Sequence, residues 1–326
     1  MKAIIYTKYG SPDVLRLGEV EKPVPGGNEV LVKVHAASAN KSDLYRLSGK
    51  PFLVRLMGGG LRKPKYTILG ADIAGRVEAA GRNAKNYRPG DEVFGNLAQC
   101  GLGAFSEYVA VPESVLAPKP ANLTFEEAAA VPQAAGTALQ GLRDVGRIRP
   151  GQKVLVNGAS GGVGTFAVQL ARHFGAEVTA VCSTSQAGIA RSIGADHVID
   201  YTREDFTQNG QRYDLILAAN GYRPITAYRR ALSPEGTYVM SGGTLAQMFQ
   251  AMLLGPVMSM GGSKKMTSVS YWPDQRDLFF LKELIEAGAV KPVIDRSYPL
   301  REVPEAFRYL GAGHARGKVV IKIREN

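Results

Sequence analysis

One segment constrains the fold of this chain more than any other: the strand, glycine turn and helix that follow one another from Val154. Residues 154–156 form a continuous apolar run, as in strands that are buried on both faces of a parallel sheet. Gly158, Gly161 and Gly164 let the backbone approach a pyrophosphate, and the N–H groups at the start of a helix bind its charge. The segment therefore predicts a dinucleotide-binding α/β unit. A tight turn without a ligand is the alternative.

The alternation of strand and helix continues after this turn. Further strands are predicted at residues 177–181, 197–200, 214–217 and 237–240. This alternation is typical of a doubly wound parallel sheet. In the first 120 residues, by contrast, Gly and Pro separate short β-branched runs such as residues 30–34, which favours an all-β or barrel-like region. Thr124 and Glu127 form a capping box that opens a helix, so we place the domain boundary after residue 124.

The residues after the second predicted strand bear on which dinucleotide binds. An acidic side chain there would bond the ribose 2′-hydroxyl of NAD(H), but this chain has Ser183, Thr184 and Ser185. None of them is a carboxylate that repels a 2′-phosphate, and all three hydroxyls can donate to one, which favours NADP(H). Arg191 can supply the positive charge that the three residues lack. An ordinary Ser/Thr-rich loop is the alternative.

Several further motifs resemble one family along essentially the whole chain. They are Gly-Ala-Asp-Ile-Ala-Gly at 70–75, Pro-Gly-Asp-Glu-Val-Phe-Gly at 89–95, Phe-Ser-Glu-Tyr at 105–108 and Gly-Ala-Asp-His-Val-Ile-Asp-Tyr at 194–201. With them the chain resembles the medium-chain dehydrogenase/reductase superfamily, specifically its zinc-independent quinone oxidoreductase, or zeta-crystallin-like, branch. The resemblance implies a GroES-like β-barrel catalytic domain at 1–124, a Rossmann NADP(H)-binding domain at 125–270, and a return to the catalytic domain at 271–326. It also implies an active site in the cleft where the domains meet.

The zinc-dependent members of that superfamily differ from this chain at their metal ligands. They place a Cys shortly before the aspartate that matches Asp43, and a His-Glu pair after the glycine that matches Gly70. This chain has Asn40 in the first place and Ala71-Asp72 in the second. Catalytic zinc needs about three protein ligands, typically Cys and His, and the four histidines lack the spacing of ligands. We therefore expect no metal.

The resemblance implies that Asn40 and Tyr45 are the catalytic residues, facing the nicotinamide and the substrate. An amide and a phenol are both suited to bonding a quinone or enone oxygen. A helix cap for Asn40 and a half-buried core ring for Tyr45 are the alternatives. The apolar segment that follows predicts a hydrophobic pocket wall, with Phe52, Leu53 and Leu56 as substrate residues.

The resemblance also extends the set of cofactor residues. Residues 133–137 match a helix beside the nicotinamide, and residues 240–243 match a loop behind it, although close packing of helix on sheet explains their small side chains equally. Tyr201 matches a tyrosine near the adenosine phosphate, with a packing role as the alternative. The predicted cofactor-binding residues are Thr137, Gly158, Ala159, Ser160, Gly161, Gly162, Val163, Gly164, Ser183, Thr184, Ser185, Tyr201, Asn220, Ser241 and Gly242.

We therefore expect an NADPH-dependent oxidoreductase that transfers hydride to a quinone or an α,β-unsaturated carbonyl without a metal. An enoyl-thioester reductase is the alternative of the same class. Because the formal net charge is +11, a nonspecific nucleic-acid-binding protein is an alternative of another class. The chain contains no run of five or more like charges, so we expect any such binding to be mainly nonspecific. A protein that keeps the cofactor fold without turnover is a third.

Apolar segments and cysteine content bear on the partners and the location of the protein. Residues 245–260 are apolar but are interrupted by Gln247, Gln250 and a Gly-Pro pair, so we expect no transmembrane segment. Residues 248–254 are assigned first to the core, with a substrate, dimer or membrane contact as alternatives. Two cysteines cannot build a disulfide framework, and residues 1–12 contain no apolar run of signal-peptide length, so we expect a cytoplasmic protein. A homodimer is expected because dimers are common in the resembled family.

Overall fold

A computed structural model of the chain describes residues 1–56, 60–243, 245–260 and 262–324, with only the backbone at 245, 246, 248 and 249. The strands are β1 Lys2–Ile5, β2 Arg16–Glu19, β3 Glu29–Ala39, β4 Asp72–Ala80, β5 Glu92–Asn96, β6 Tyr108–Pro112, β7 Leu116–Pro118, β8 Lys153–Asn157, β9 Glu177–Cys182, β10 His197–Asp200, β11 Tyr213–Ala218, β12 Leu232–Met240, β13 Lys265–Ser268, β14 Ile294–Pro299 and β15 Lys318–Lys322. The helices are α1 Lys41–Ser48, α2 Phe125–Ala129, α3 Pro132–Leu139, α4 Gly162–His173, α5 Ala187–Ser192, α6 Ile225–Ala231, α7 Leu245–Met260, α8 Gln275–Glu286 and α9 Val303–Gly311.

The chain divides into two units. The first consists of Met1–Gln133, Pro273–Ala287 and the described residues after Lys291, and the second of Ala134–Trp272 and Gly288–Lys291. The predicted boundary after residue 124 differs from this division, because α2 packs against β3, β4 and β15 of the first unit. The capping box of Thr124 and Glu127 that suggested the boundary is present, but it opens a helix of the first unit.

The second unit is built on a parallel sheet. Within the described residues its strand order is β10-β9-β8-β11-β12-β13, and every neighbouring pair is parallel. The central strand β8 is buried from Val154 onward, as its unbroken apolar sequence predicts. The doubly wound parallel sheet expected from the sequence is confirmed.

The first unit contains a larger, mostly antiparallel sheet in the order β14-β15-β3-β4-β5-β7, with β6 also paired to β3. Strand β3 is long enough to serve two partners on one side. Its first half pairs with β6, and its second half pairs with β15, so that Val319 lies opposite Ala39. This register brings Lys318, from far along the chain, to the place where β3 passes into α1.

Helix α7 corrects one expectation from the sequence. The sequence places residues 248–254 in the core, and Ala251 is indeed buried, as is the neighbouring Gln247. The opposite face is open, because Leu253 is 68% exposed and Met260 is 86% exposed. Met252, Leu254 and Val257 share this apolar face. Met248 and Phe249 lie outside the described side chains.

Among the described residues, no helix combines the length and the apolar character needed to cross a bilayer.

Candidate active site

The glycine turn between β8 and α4 has two positions at which a side chain cannot be accommodated. Gly158 has a φ of +80°, and a Cβ there would lie 2.7 Å from the backbone nitrogen of Asn220. A Cβ on Gly164 would lie 2.0 Å from the carbonyl oxygen of Gly158. At Gly161, by contrast, the nearest atom would be 3.6 Å away. Two glycines therefore shape the turn, and the third leaves one side of it open.

The N–H groups of this turn differ in their availability. Those of Gly158 and Ala159 donate to Val181 O, and that of Gly161 donates to Gly158 O. In the part of the chain that the structure describes, no acceptor lies against the N–H groups of Ser160, Gly162 or Val163. These donors stand at the N-terminus of α4, whose dipole favours an anion. The turn thus fits the pyrophosphate of a dinucleotide, with contacts from Ser160 and the first turn of α4.

The other predicted cofactor residues follow the carboxyl ends of the parallel strands, which share one edge of the sheet. Ser183 follows β9, Tyr201 follows β10, Asn220 follows β11 and Ser241 follows β12. The strand order reverses direction between β8 and β11, which is where ligands of open α/β sheets bind. The N–H groups of Ser241 and Gly242 donate to Ala218 O at 3.0 and 3.2 Å, so this loop is fixed. Thr137 lies on α3 and is buried.

One carboxylate lies beside the Ser183–Ser185 loop that the sequence did not associate with it. Asp200 is opposite Cys182 in the register of β10 and β9, and it accepts a hydrogen bond from the Thr184 hydroxyl. Bonds from Thr184 and Thr202 hold the pKa of Asp200 below its ordinary value. Positions 183–185 contain no acidic residue, but a negative charge, that of Asp200, lies directly beside them. Arg203, whose Nε is 3.7 Å from Asp200 Oδ2, partly offsets it.

In the first unit, Asn40 lies in a buried polar cluster where β3 passes into α1. Its Nδ2 donates to Asp72 Oδ2 at 2.9 Å and to Ser38 O at 3.4 Å, and its Oδ1 accepts from Lys318 Nζ at 2.6 Å. The amide therefore has no hydrogen left for a substrate oxygen. The structure favours the helix-cap alternative for Asn40, with its backbone N–H donating to Asp43 Oδ2 at 2.8 Å.

Asp72 is the centre of this cluster. Its Oδ2 accepts from Ser38 Oγ at 2.8 Å as well as from Asn40. Its Oδ1 accepts from Asn96 Nδ2 at 2.7 Å and from Gln133 N at 3.0 Å. The ammonium of Lys318 lies 3.7 Å from Oδ2, and both side chains are almost fully buried. A buried carboxylate with this many donors and a cation is fully satisfied.

These residues do not fit zinc. The amide at position 40 is bonded within the cluster, position 71 carries only a methyl group, and an ammonium already stands beside Asp72. Zinc sites use Cys, His and carboxylate ligands. Across the described ranges, no three or more His, Cys, Asp or Glu side chains are grouped as metal ligands.

Tyr45 lies on α1, two residues after Asp43. Its ring is half-buried, and burial raises the pKa of its hydroxyl. Among the described residues its hydroxyl has no hydrogen-bond partner, unlike Tyr87, whose hydroxyl donates to Leu116 O. A phenol that is partly desolvated and keeps its proton can donate to a ligand oxygen.

The three predicted substrate residues lie on the segment after α1 and are open. Phe52 is 59% exposed, and Leu53 and Leu56 are exposed to a similar degree. The structure therefore does not bury them in the core, and their role as a pocket wall stays a prediction.

Sequence reasoning missed two charged residues of these regions, Lys318 and Asp200. Lys318 reads as one of two lysines in a strand, and only the pairing of β15 with β3 shows that it is buried. Asp200 ends a strand that was predicted correctly, so the signal available was its place opposite Cys182 in a parallel pair. Lys318 is distant in sequence from Asn40, and Asp200 is distant from Thr184.

Comparison with known proteins agrees with this geometry. The model of the alcohol dehydrogenase GroES-like domain matches residues 26–121, and that of the zinc-binding dehydrogenase family matches residues 193–321. A 2-methylene-furan-3-one reductase of Solanum lycopersicum is 38% identical, covering 98% of this chain and 79% of its own. A chloroplastic NADPH-dependent alkenal/one oxidoreductase of Arabidopsis thaliana is 36% identical over the same shares.

A solved structure extends the likeness to the whole fold. The quinone oxidoreductase of Coxiella burnetii superposes with a TM-score of 0.88 at 30% identity, covering 99% of each chain. Together with the GroES-like match in the first unit and the parallel sheet of the second, this confirms the fold class expected from the sequence. The chain belongs to the quinone oxidoreductase branch of the medium-chain dehydrogenase/reductase superfamily.

Proposed function

We propose that this protein is an NADPH-dependent oxidoreductase that transfers hydride to a quinone or an α,β-unsaturated carbonyl without a metal. Its relatives support both the cofactor and the acceptors, because their names specify an NADPH-dependent alkenal/one oxidoreductase, a furanone reductase and a quinone oxidoreductase. NADPH supplies the hydride when it is bound, and the proton that completes reduction comes from water or a side chain.

The observation that carries this proposal is that the ammonium of a lysine side chain already lies beside Asp72. The positions that hold ligands in zinc-dependent relatives contribute here to a cluster whose cation is the Lys318 ammonium. A carbonyl oxygen must therefore be polarised by hydrogen bonds. Quinones and enones suit such a site, because hydride addition to either leaves a delocalised oxyanion that one donor can stabilise.

Tyr45 is the group that we assign to that oxygen. Its half-buried hydroxyl is free of protein acceptors among the described residues. A tyrosine phenol is protonated at neutral pH, and burial raises the pKa of Tyr45 further. Asn40, whose amide is bonded within the cluster, serves to orient the helix that carries Tyr45. Phe52, Leu53 and Leu56 offer apolar surface to a lipophilic substrate.

For the cofactor, we assign the pyrophosphate to the N–H groups of Ser160, Gly162 and Val163. Ser183, Thr184 and Ser185 with Tyr201 would surround the adenosine ribose, and Asn220, Ser241 and Gly242 would border the nicotinamide half. The hydroxyls of Ser183 and Ser185 lie 3.3 Å apart, and with Arg191 and Arg203 they would hold a 2′-phosphate. The negative charge of Asp200 reduces the preference for NADPH over NADH without reversing it.

Tyr45→Phe tests the proposed function. An enone that accepts hydride becomes an enolate, which needs its oxygen stabilised, whereas a reduced quinone spreads its charge over an aromatic ring. Loss of one oxyanion donor costs about 10²–10³-fold in kcat, so enone reduction should fall by about that factor and quinone reduction by less. Steady-state kinetics with NADPH and one acceptor of each class measure both, after treatment with a chelator.

The matched control is Tyr309→Phe, which removes another half-buried phenol of the first unit, one that donates to Asp295. Its kinetics should equal those of the unchanged protein. A change of less than about threefold on both acceptors in the Tyr45→Phe protein would remove Tyr45 from the reaction. If no quinone, enone or enoyl thioester is reduced by the unchanged protein, or if chelation abolishes turnover, the proposed function fails.

We also propose that the protein forms a homodimer through its second unit. Strand β13 is the edge of the parallel sheet, and α7 presents an apolar face with Leu253 and Val257 more than 60% exposed. An open sheet edge beside an apolar helix is a surface that proteins cover. A monomeric mass by sedimentation at micromolar concentration would contradict the dimer.

For its location we propose the cytoplasm. Cys100 and Cys182 are unpaired thiols, as expected in a reducing compartment. Fractionation of the native cells that finds the protein confined to an organelle or outside the cell would refute this.

A further inference from the structure

The buried cluster of the first unit connects strand β15 with the start of helix α1. The proposed reaction gives no role to this connection. Lys318 on β15 donates to Asn40 Oδ1 at 2.6 Å, and its side chain is 3% exposed. A lysine is rarely buried to this degree, because its ammonium loses hydration that only close acceptors replace. Burial lowers the pKa of Lys318, while the carboxylates of Asp72 and Asp43 oppose that shift.

Asn40 transmits this contact to helix α1. It is the residue before the first turn, and its backbone makes two bonds with Asp43: its N–H donates to Asp43 Oδ2, and its carbonyl oxygen accepts from Asp43 N at 3.0 Å. The side chain of Asn40 is meanwhile fixed on both sides, by Asp72 and by Lys318. The start of α1 is thus held by an ammonium that lies 278 residues away in sequence.

Tyr45 is carried on this same helix, and α1 is short, with eight residues. A helix of that length has little stability of its own and takes its position from its contacts. The hydroxyl of Tyr45 has no bond of its own to fix it among the described residues. Its placement therefore depends on how firmly the helix begins.

We propose that Lys318 is a positioning residue that holds the start of α1 through Asn40 and thereby places the Tyr45 hydroxyl at the substrate oxygen. This rests on the proposed function for the role of Tyr45, but not for the contact itself. Lys318 touches neither substrate nor cofactor in this proposal. The part of the fold that binds a metal in zinc-dependent relatives is here used to orient a proton donor.

The decisive experiment is a double-mutant cycle between Lys318→Met and Tyr45→Phe, with kcat and KM for an enone measured separately. Methionine matches the length of the lysine stem and removes the ammonium. A small displacement of a reacting group costs up to about 100-fold, so Lys318→Met should lower kcat by about 10- to 100-fold. In the Tyr45→Phe background it should lower kcat by less than about threefold, because the group that it positions is gone.

The control is Lys322→Met, on the same strand, where the lysine side chain is 47% exposed and its Nζ lies 3.9 Å from Glu126. It should leave kcat unchanged in both backgrounds. Should the Lys318→Met protein fail to fold, Asn40→Ala takes its place in the cycle, since it removes the amide through which the ammonium holds the start of α1. Equal losses of kcat in both backgrounds, or no loss in either, would overturn the proposal.

Amide hydrogen exchange separates this proposal from the proposed function. Removal of the ammonium should speed exchange about tenfold or more within residues 41–48, and leave β8 and α4 unchanged. If Tyr45→Phe turns out fully active while exchange changes only in α1, the positioning contact stands and the assigned role of Tyr45 falls. Unchanged exchange in α1, or faster exchange throughout the first unit, counts against positioning whatever the kinetics show.

Discussion

The glycine turn of the second unit and the Asp72 cluster of the first are both built around charge, but they treat it in opposite ways. At the turn, two glycines exclude side chains, and the N–H groups of Ser160, Gly162 and Val163 have no acceptor among the described residues. In the cluster, each oxygen of Asp72 accepts two hydrogen bonds, and a cation stands beside it.

This difference distinguishes a place that binds from a place that supports. Unsatisfied donors at a helix terminus gain free energy when an anion arrives. A cluster whose groups satisfy one another gains nothing from a ligand and loses stability when any member is removed. Two polar regions of one protein therefore call for different experiments: ligand affinity at the turn, and helix position or stability at the cluster.

The largest effect is expected at Gly164. Alanine normally stabilises a helix relative to glycine by about 0.5–1 kcal/mol, but a Cβ here would lie 2.0 Å from Gly158 O. Gly164→Ala should therefore distort the turn, lose more than about 100-fold in NADPH affinity, and destabilise the protein by about 1–3 kcal/mol. Fluorescence titration and thermal unfolding measure the two effects.

Gly188→Ala is the control, because Gly188 also lies in a helix and a Cβ there meets nothing within 4 Å. That variant should bind NADPH normally and be as stable as the parent or more so. Normal NADPH affinity in the Gly164→Ala protein would show that the turn is not the pyrophosphate site.

The next largest effect is expected at Asp43, which contacts the Asp72 cluster through Asn40 and has one carboxylate oxygen without a hydrogen bond among the described residues. Its Oδ1 is buried without a partner among the described residues. Burial raises the pKa of Asp43 from 3.8 to about 6; the negative charge of Asp72 adds to this rise, and the positive charges of Arg46 and Lys318 oppose it. The folded protein thus holds this proton over a pH range in which the unfolded chain releases it. Stability from this group is present at low pH and is lost as pH rises through about 6.

Asp43→Asn removes this titration while keeping an oxygen for Asn40 N–H. The free energy of unfolding of the parent, relative to that of Asp43→Asn, should fall by up to about 3 kcal/mol between pH 4 and pH 7.5. Urea unfolding of both proteins across this range measures the difference. A difference that stays flat or increases with pH would mean that Asp43 is as well satisfied as Asp72.

The smallest effect concerns Asp200, whose charge opposes a phosphate beside the Ser183–Ser185 loop. Because solvent screens the charge of Asp200, Asp200→Asn should tighten NADPH binding by only about threefold and leave NADH affinity within twofold. Glu177→Gln, at the other end of β9, removes the same charge far from this loop and should change neither. Weaker NADPH binding after Asp200→Asn would indicate that Asp200 orients Thr184 toward the cofactor.

The features that could be predicted from the sequence are those set by local patterns. Strand β8, the turn and α4 lie within about 20 residues, and their apolar run, glycines and helix start each act over a few residues. The parallel strands from β9 to β12 follow from the same alternation. The sequence also places Asn40 directly before a helix, but this pattern fits a helix cap and a substrate donor equally. Only the neighbours of its amide decide between them.

Other features depend on which distant segments pair. Lys318 and Lys322 look alike in sequence, yet one is buried beside Asp72 and the other is half exposed. The open face of α7 was expected in the core because apolar residues usually are buried, and no local pattern shows which face the sheet leaves uncovered. Asp200 lies beside Thr184 because of the register in which β10 pairs with β9.

The division of the first unit over distant stretches of chain has a consequence for how the protein is made. The second half of β3 has β4 on one side and β15 on the other, and β15 begins some 280 residues after β3 ends. The second unit comes almost entirely from one stretch, 134–272, so it can fold while synthesis continues. Until β15 leaves the ribosome, β3 keeps an unpaired edge and Asp72 lacks its ammonium. The unit that is synthesised first is the one that is completed last.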